Sequence, residues 1–245
     1  HNDMVINQQM FKNFFSFVDQ IPHYIIGANS DIPIVGGSIL THDHYQAGYH
    51  IFPIERAQVK FTHKMRSYPN LKLNYLKWPV STLQLIGNRA DLLVVTDIII
   101  NAWSKYNDKN LQIIATANNE RHNSVTPIMR KLSHDKYCVY LLLRNNRTTS
   151  EHPEGIFHPH RNLHHIKKEN IGLIEAMGLA VLPGRLFSEI NELKTLFLLN
   201  NHELAITGLL FDNKLIKHEL WLRELYDKYQ SFDPLTIDSI LRAEI

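Results

Sequence analysis

The chain has 245 residues, 44% of them hydrophobic and 20% charged, with a formal net charge of +2. That is enough apolar material for one sizeable core or two small ones, and it lacks the basic stripe of a nucleic-acid binder and the acidic tail of a solvating arm. The longest apolar runs, residues 92–95 and 98–100, are broken by Thr96 and Asp97 and fall short of a membrane span. With no signal-peptide pattern at the start, a cytoplasmic protein is expected. The single cysteine, Cys138, excludes an internal disulfide and sits in an apolar run, so it reads as a core residue in a reducing compartment. The chain opens His1-Asn2-Asp3-Met4, which predicts a processed fragment with residues missing upstream.

The first predicted element is a helix over residues 4–20, where Met4, Phe11, Phe14, Phe15 and Val18 keep helical spacing before Pro22. Residues 24–26 read as a short strand, Asn29-Ser30-Asp31 with Pro33 as a turn, and residues 49–54 as a strand. Residues 71–78 alternate apolar and polar side chains, as a half-buried strand does, until Pro79 ends them. Ser81 or Thr82 then caps a helix expected to run to about Tyr106. Residues 111–117 and 124–129 read as strands around a turn at Asn118-Asn119, and residues 137–143 as a further strand before a turn at Asn145-Asn146. Beyond, residues 171–182, 188–199, 204–206 and 217–229 have helical character, with a break at Pro183-Gly184 and a last short helix opened by Asp233-Pro234. This order predicts an α+β fold with an antiparallel sheet, flanking helices and a mostly helical C-terminal tail.

Fifteen histidines are the compositional anomaly, and several fall in two clusters. The first lies in Gly36-Gly37-Ser38-Ile39-Leu40-Thr41-His42-Asp43-His44-Tyr45-Gln46. On an extended backbone His42, His44 and Gln46 share a face. One imidazole there can attack phosphorus while its other nitrogen is held by a hydrogen bond, and Gln46 can donate to a phosphate oxygen. Gly36 and Gly37 permit close approach of the backbone to a phosphate or a base. A metal pair, or two plain surface histidines, fits the spacing equally. The second cluster is Phe157-His158-Pro159-His160 followed by Leu163-His164-His165-Ile166-Lys167-Lys168. His158 and His160 have metal-ligand spacing, with Glu55 or His122 as further ligands, or they form a phosphate-binding strand end with no metal.

The stretch from Ile32-Pro33-Ile34-Val35-Gly36-Gly37-Ser38 through His42-Asp43-His44-Tyr45-Gln46 resembles the active-site signature of class II, bacillus-type galactose-1-phosphate uridylyltransferases. His122-Asn123-Ser124-Val125-Thr126-Pro127-Ile128, Phe157-His158-Pro159-His160 and residues 163–183 resemble the same family, in order along the chain. The resemblance implies a relative of the histidine-triad superfamily, with a histidine-triad-like domain over residues 1–185 and a helical extension, 186–245, packed on it. It implies transfer of a uridylyl group from UDP-glucose to galactose 1-phosphate, by way of a uridylyl-histidine. His44 then corresponds to the nucleophile, flanked by His42 and Gln46. Asp43 stands where the better-known branch of the family has proline, and the spacing from Ser38 to His42 is one residue longer here than in that branch. Gly36, Gly37, Ser38, Asn29 and Lys168 correspond to substrate-binding positions. His158, His160, His122 and Glu55 correspond to a structural zinc or iron site.

The implied partners are UDP-glucose, UDP-galactose and hexose 1-phosphates, the N-terminal half of a parent chain, and a second copy in a homodimer. Neither nucleic acid nor membrane is expected. A nucleotide-sugar hydrolase or phosphorylase on the same scaffold, and a non-catalytic metal-binding module, are the competing readings.

Overall fold

The computed structural model describes residues 2–168 and 171–244. The chain divides by contacts into two units, one of His1–His158 with Asn170–Ala180, the other of Pro159–Glu169 with Val181–Ile245. The expected boundary at 185/186 is replaced by this interleaved one. The physical reason is local: Arg185 binds the carbonyls of His165 and Ile166, and the His165 ring bonds that of His218, so the 159–168 segment goes with the helices.

In the first unit, α1 (Gln8–Gln20) starts at Asn7, whose side chain accepts from the Met10 amide at 3.0 Å. Met4 and Ile6 are buried but precede the helix. The strands are β1 (Ile25–Gly27), β2 (Gln46–Gly48), β3 (Val59–Lys64), β4 (Lys72–Leu76), β5 (Thr82–Gly87), β6 (Thr116–Ala117), β7 (Glu120–Arg121), β8 (Asn123–Ser133) and β9 (Lys136–Asn145). Between β5 and β6 lies α2 (Arg89–Trp103). Seven strands form one antiparallel sheet in the order β2-β1-β8-β9-β5-β4-β3, and β6 and β7 form a two-stranded hairpin turned by Asn118 and Asn119, both at positive φ.

Three expectations are corrected here. Residues 49–54 are not a strand: the strand lies just before, at β2, and Pro53–Arg56 is a 3₁₀ turn. Thr82 caps no helix and opens β5; the cap of α2 lies six residues later, at Asn88, whose side chain accepts from the Asp91 amide. The helix expected over 171–182 is α3 (Leu173–Ala176), one turn long. Soon after it, Gly178 adopts φ +97 against Trp78 and Pro53, where a side chain would collide.

The sheet buries both faces. Phe11, Phe14, Phe15 and Val18 of α1 and Leu92 and Val95 of α2 cover Ile26, Leu85, Val125, Met129, Val139 and Leu141. On the other face Ile25, Leu76, Ile128, Cys138, Tyr140 and Leu142 meet Phe52, Ile54 and the α3 residues Leu173 and Ala176. Register assigns one row of this second face across all seven strands: Thr62, Asn74, Gln84, Tyr140, Ile128, Gly27 and Gln46. Its first four members are joined by hydrogen bonds, from the Thr62 hydroxyl to Asn74 (2.7 Å), from Asn74 to Gln84 (2.8 Å) and from Gln84 to the Tyr140 oxygen (3.3 Å). The row therefore runs from a polar ladder, through the core, to Gln46. At the end of α2 the Trp103 indole N–H is shared between the carbonyls of Ser124 and Arg144, which pair across β8 and β9.

The second unit holds α4 (Arg185–Phe197), α5 (His202–Leu210), α6 (Glu219–Tyr229) and α7 (Ile237–Glu244). They close on their own core of Leu193, Phe197, Leu209, Leu222, Leu225 and Ile237. Among the described residues no helix is long and apolar enough to cross a membrane.

Candidate functional site

The first histidine cluster lies on the approach to β2. Asp43 and Tyr45 turn toward α1: the Tyr45 hydroxyl donates to Asp43 at 3.0 Å, accepts from Asn13 at 3.2 Å, and its ring meets Phe14 edge-on at 5.1 Å. Alternation then turns His44 and Gln46 to the opposite face of the sheet, and the pairing of Gln46 with Gly27 places Gln46 on that face. Asp43 thus has a structural task on the α1 side. His42 and Gln46 are exposed and His44 is half-buried.

The His44 ring is oriented by its own chain. Nδ1 lies 2.9 Å from the His42 main-chain oxygen, and a carbonyl can only accept, so Nδ1 carries the proton. In the neutral ring Nε2 is therefore the nitrogen with the lone pair. Beside Gln46 a cleft of about 190 Å³ opens between β1, β2 and α3, lined by Gly27, Gln46, Gly48, Phe52, Leu173 and Met177. Gly27 matters to its shape: a Cβ there would lie 3.0 Å from both Leu173 Cδ2 and the Pro127 carbonyl.

The glycine loop is held from several sides. The Asn29 side chain lies against Gly36, which is buried at φ +97. A Cβ on Gly37 would collide with the carbonyl oxygens of Ser30 and Ile32. These glycines allow the loop to close on its own backbone; both are buried, while Ser38 is exposed. Between them and Pro33 the chain makes a tight turn, with the Val35 amide bonded to the Pro33 carbonyl at 2.9 Å around Ile34 at φ +73. A β-branched residue there carries backbone strain. Asn146 holds the turn by donating to the Pro33 carbonyl at 3.2 Å, and Asn146 in turn accepts from His122 Nδ1 at 2.8 Å.

Of the four expected metal ligands, Glu55 and His122 are held apart. Glu55 binds Arg130 through both carboxylate oxygens, at 2.5 and 3.1 Å, and caps the Phe52 amide. Arg130 and His122 are eight residues apart along β8 and its approach, roughly 27 Å in an extended chain, so Glu55 cannot share an ion with His122. His158 is buried in the first unit; His160 and Lys168 belong to the second and are exposed. Among the described residues no three His, Cys, Asp or Glu side chains cluster as a metal site. Glu169 and Asn170 of the second motif lie outside the described residues.

Three residues on the Gln46 face were not singled out from the sequence. Ser30 donates to the Val125 carbonyl at 3.2 Å, Ser30 and Thr126 hydroxyls are 3.3 Å apart, and Arg144 Nη1 donates to Thr126 at 3.4 Å. The available signal was parity: Tyr140 and Leu142 face the core, so Arg144 continues their face.

The comparisons with known proteins bear on this site. A model of the galactose-1-phosphate uridyl transferase C-terminal domain matches residues 17–205. The chain belongs to the galactose-1-phosphate uridyl transferase family. A galactose-1-phosphate uridylyltransferase of Clostridium perfringens is 48% identical over 230 residues, covering 94% of this chain and 44% of the relative. That of Fusobacterium nucleatum is 45% identical over 98% of this chain and 47% of its own length. The Bacillus subtilis enzyme is 42% identical over 100% of this chain and 47% of its own. The chain thus spans about half the length of the curated relatives it matches. No solved structure matches significantly. The matched region contains the His42–Gln46 segment, the glycine loop and the second histidine motif.

Proposed function

We propose that the chain carries the nucleophile of a uridylyl transfer from UDP-glucose to galactose 1-phosphate, and that this nucleophile is His44 Nε2. The observation that supports it is the 2.9 Å bond from His44 Nδ1 to the His42 carbonyl, which in the neutral ring puts the lone pair on Nε2. In the first half-reaction Nε2 donates its lone pair to the α-phosphorus. The N–P bond forms as the P–O bond to glucose 1-phosphate breaks, and glucose 1-phosphate leaves with that electron pair. From that neutral tautomer no proton need leave the ring. The positive charge that develops on the imidazole is relieved by the His42 carbonyl at Nδ1, and Gln46 donates to a phosphoryl oxygen as charge shifts. In the second half-reaction a phosphate oxygen of galactose 1-phosphate attacks phosphorus, the N–P bond breaks, and UDP-galactose is released with Nε2 restored.

The test is covalent labelling. UDP-glucose carrying radioactive phosphorus at the α position should label the protein, and His44→Ala should abolish the label. Label retained at wild-type level in that variant would remove His44 from the role. Adding galactose 1-phosphate should discharge the label into UDP-galactose; discharge at the same rate into water or inorganic phosphate would favour a hydrolase or phosphorylase.

A further inference from the structure

Arg144 stands out once the sheet faces are assigned. It is 8% exposed, yet no carboxylate among the described residues pairs with it. Among the described residues the guanidinium makes one hydrogen bond, to a neutral hydroxyl at 3.4 Å. Burial, with no opposing charge nearby, pushes it down to about 10. A buried cation without a counter-charge is costly and, by itself, destabilising. The hydroxyls around it are directed. Ser30 donates to the Val125 carbonyl, so Thr126 donates to Ser30, and Arg144 donates to Thr126. The chain of donors ends on a guanidinium whose remaining N–H groups lack an anionic acceptor among the described residues.

Position links it to the site. Thr126 is two residues from Ile128 on β8, on the same face, and Ile128 shares its row with Gly27 and Gln46. Ser30, whose hydroxyl meets Thr126, lies three residues beyond Gly27, the partner of Gln46. We infer that Arg144 is an anion-binding residue of this site, which takes a phosphoryl oxygen of the substrate on the N–H groups not bonded to Thr126. This rests on the nucleotide-transfer reading and adds to it a residue that holds the phosphate.

The test compares Arg144→Met and Arg144→Lys with wild type in the complete expressed protein, by calorimetry with UDP, uridine and pyrophosphate. Loss of a charge-assisted bond is expected to weaken UDP binding roughly tenfold or more in Arg144→Met, leave uridine unchanged, and weaken UDP less in Arg144→Lys. The urea midpoint of Arg144→Met should equal or exceed that of wild type, because an uncompensated buried charge is removed. An unchanged ratio of UDP to uridine affinity in folded Arg144→Met overturns the inference, and so does a lowered midpoint with that ratio unchanged, which marks a purely structural donor. If wild type binds pyrophosphate through Arg144 but not UDP, the anion site stands and the uridylyl reading falls. Pyrophosphate binding indifferent to both variants overturns the anion site alone.

Discussion

A methyl group on Gly37 would meet the carbonyl oxygens of Ser30 and Ile32. Gly37→Ala should therefore cost about 1–3 kcal/mol, seen as a lower urea midpoint; a wild-type midpoint would mean the loop has room to shift. Cys138 makes the opposite point, that a reactive group type can be silent. Its thiol is buried and burial pushes it up to about 12, so iodoacetamide at pH 8 should leave it unmodified in the native protein and modify it in urea, as mass spectrometry would read. The sequence marked both residues, and the Cys138 assignment follows from its apolar neighbours. The reason for the glycines lay elsewhere, because residue type cannot say whether the close neighbour is a ligand or the loop's own backbone. Arg144 was missed because reading residues 137–143 as an apolar run stopped one residue short of the parity that places it.

Among the elements, those with at least one buried face were the legible ones. The alternation of residues 71–78 marks β4, and the apolar run 137–143 marks β9, because burial on one or both faces leaves a pattern. The edge strand β3 is exposed throughout, so hydrophobic periodicity has nothing to record there. β5 was read as the start of a helix because its residues run almost directly into α2, and Thr82 is a plausible cap by type. The cap is Asn88, and Asn88→Ala should destabilise the first unit by about 1 kcal/mol, while Ser81→Ala, outside β5 and α2, should leave helix content unchanged by circular dichroism. Equal effects of the two substitutions would contradict this boundary.

On the scale of the whole molecule, each unit has its own core, and the helical one contains a network sensitive to acid. Glu189 accepts from Lys217 (2.5 Å), Arg185 (2.6 Å) and His218 Nε2 (3.1 Å), and the Nδ1 atoms of His218 and His165 are 2.8 Å apart. Burial alone would raise the Glu189 carboxyl, but the bonds from Lys217, His218 and Arg185 hold it below its ordinary value. Burial first, then His218, Arg185 and Lys217, push His165 from 6.5 down to about 4, and burial also lowers His218. The unfolded chain therefore takes up protons that the folded unit refuses. The stability this network contributes is complete above pH 6.5 and is lost as pH falls toward 4. The urea midpoint of the helical unit, followed by Trp221 emission, should decline across that window, and His165→Phe should flatten the decline. An acid limb of unchanged steepness in that variant would assign the loss to other groups. The indole of Trp103, tied to the main chain of Ser124 and Arg144, offers a complementary readout. With Trp78 and Trp221 replaced by phenylalanine, it becomes the single tryptophan of the chain, excited selectively at about 295 nm and anchored to the backbone of the proposed anion-binding residue. A spectral shift on adding UDP or pyrophosphate would then register occupancy at that strand end optically.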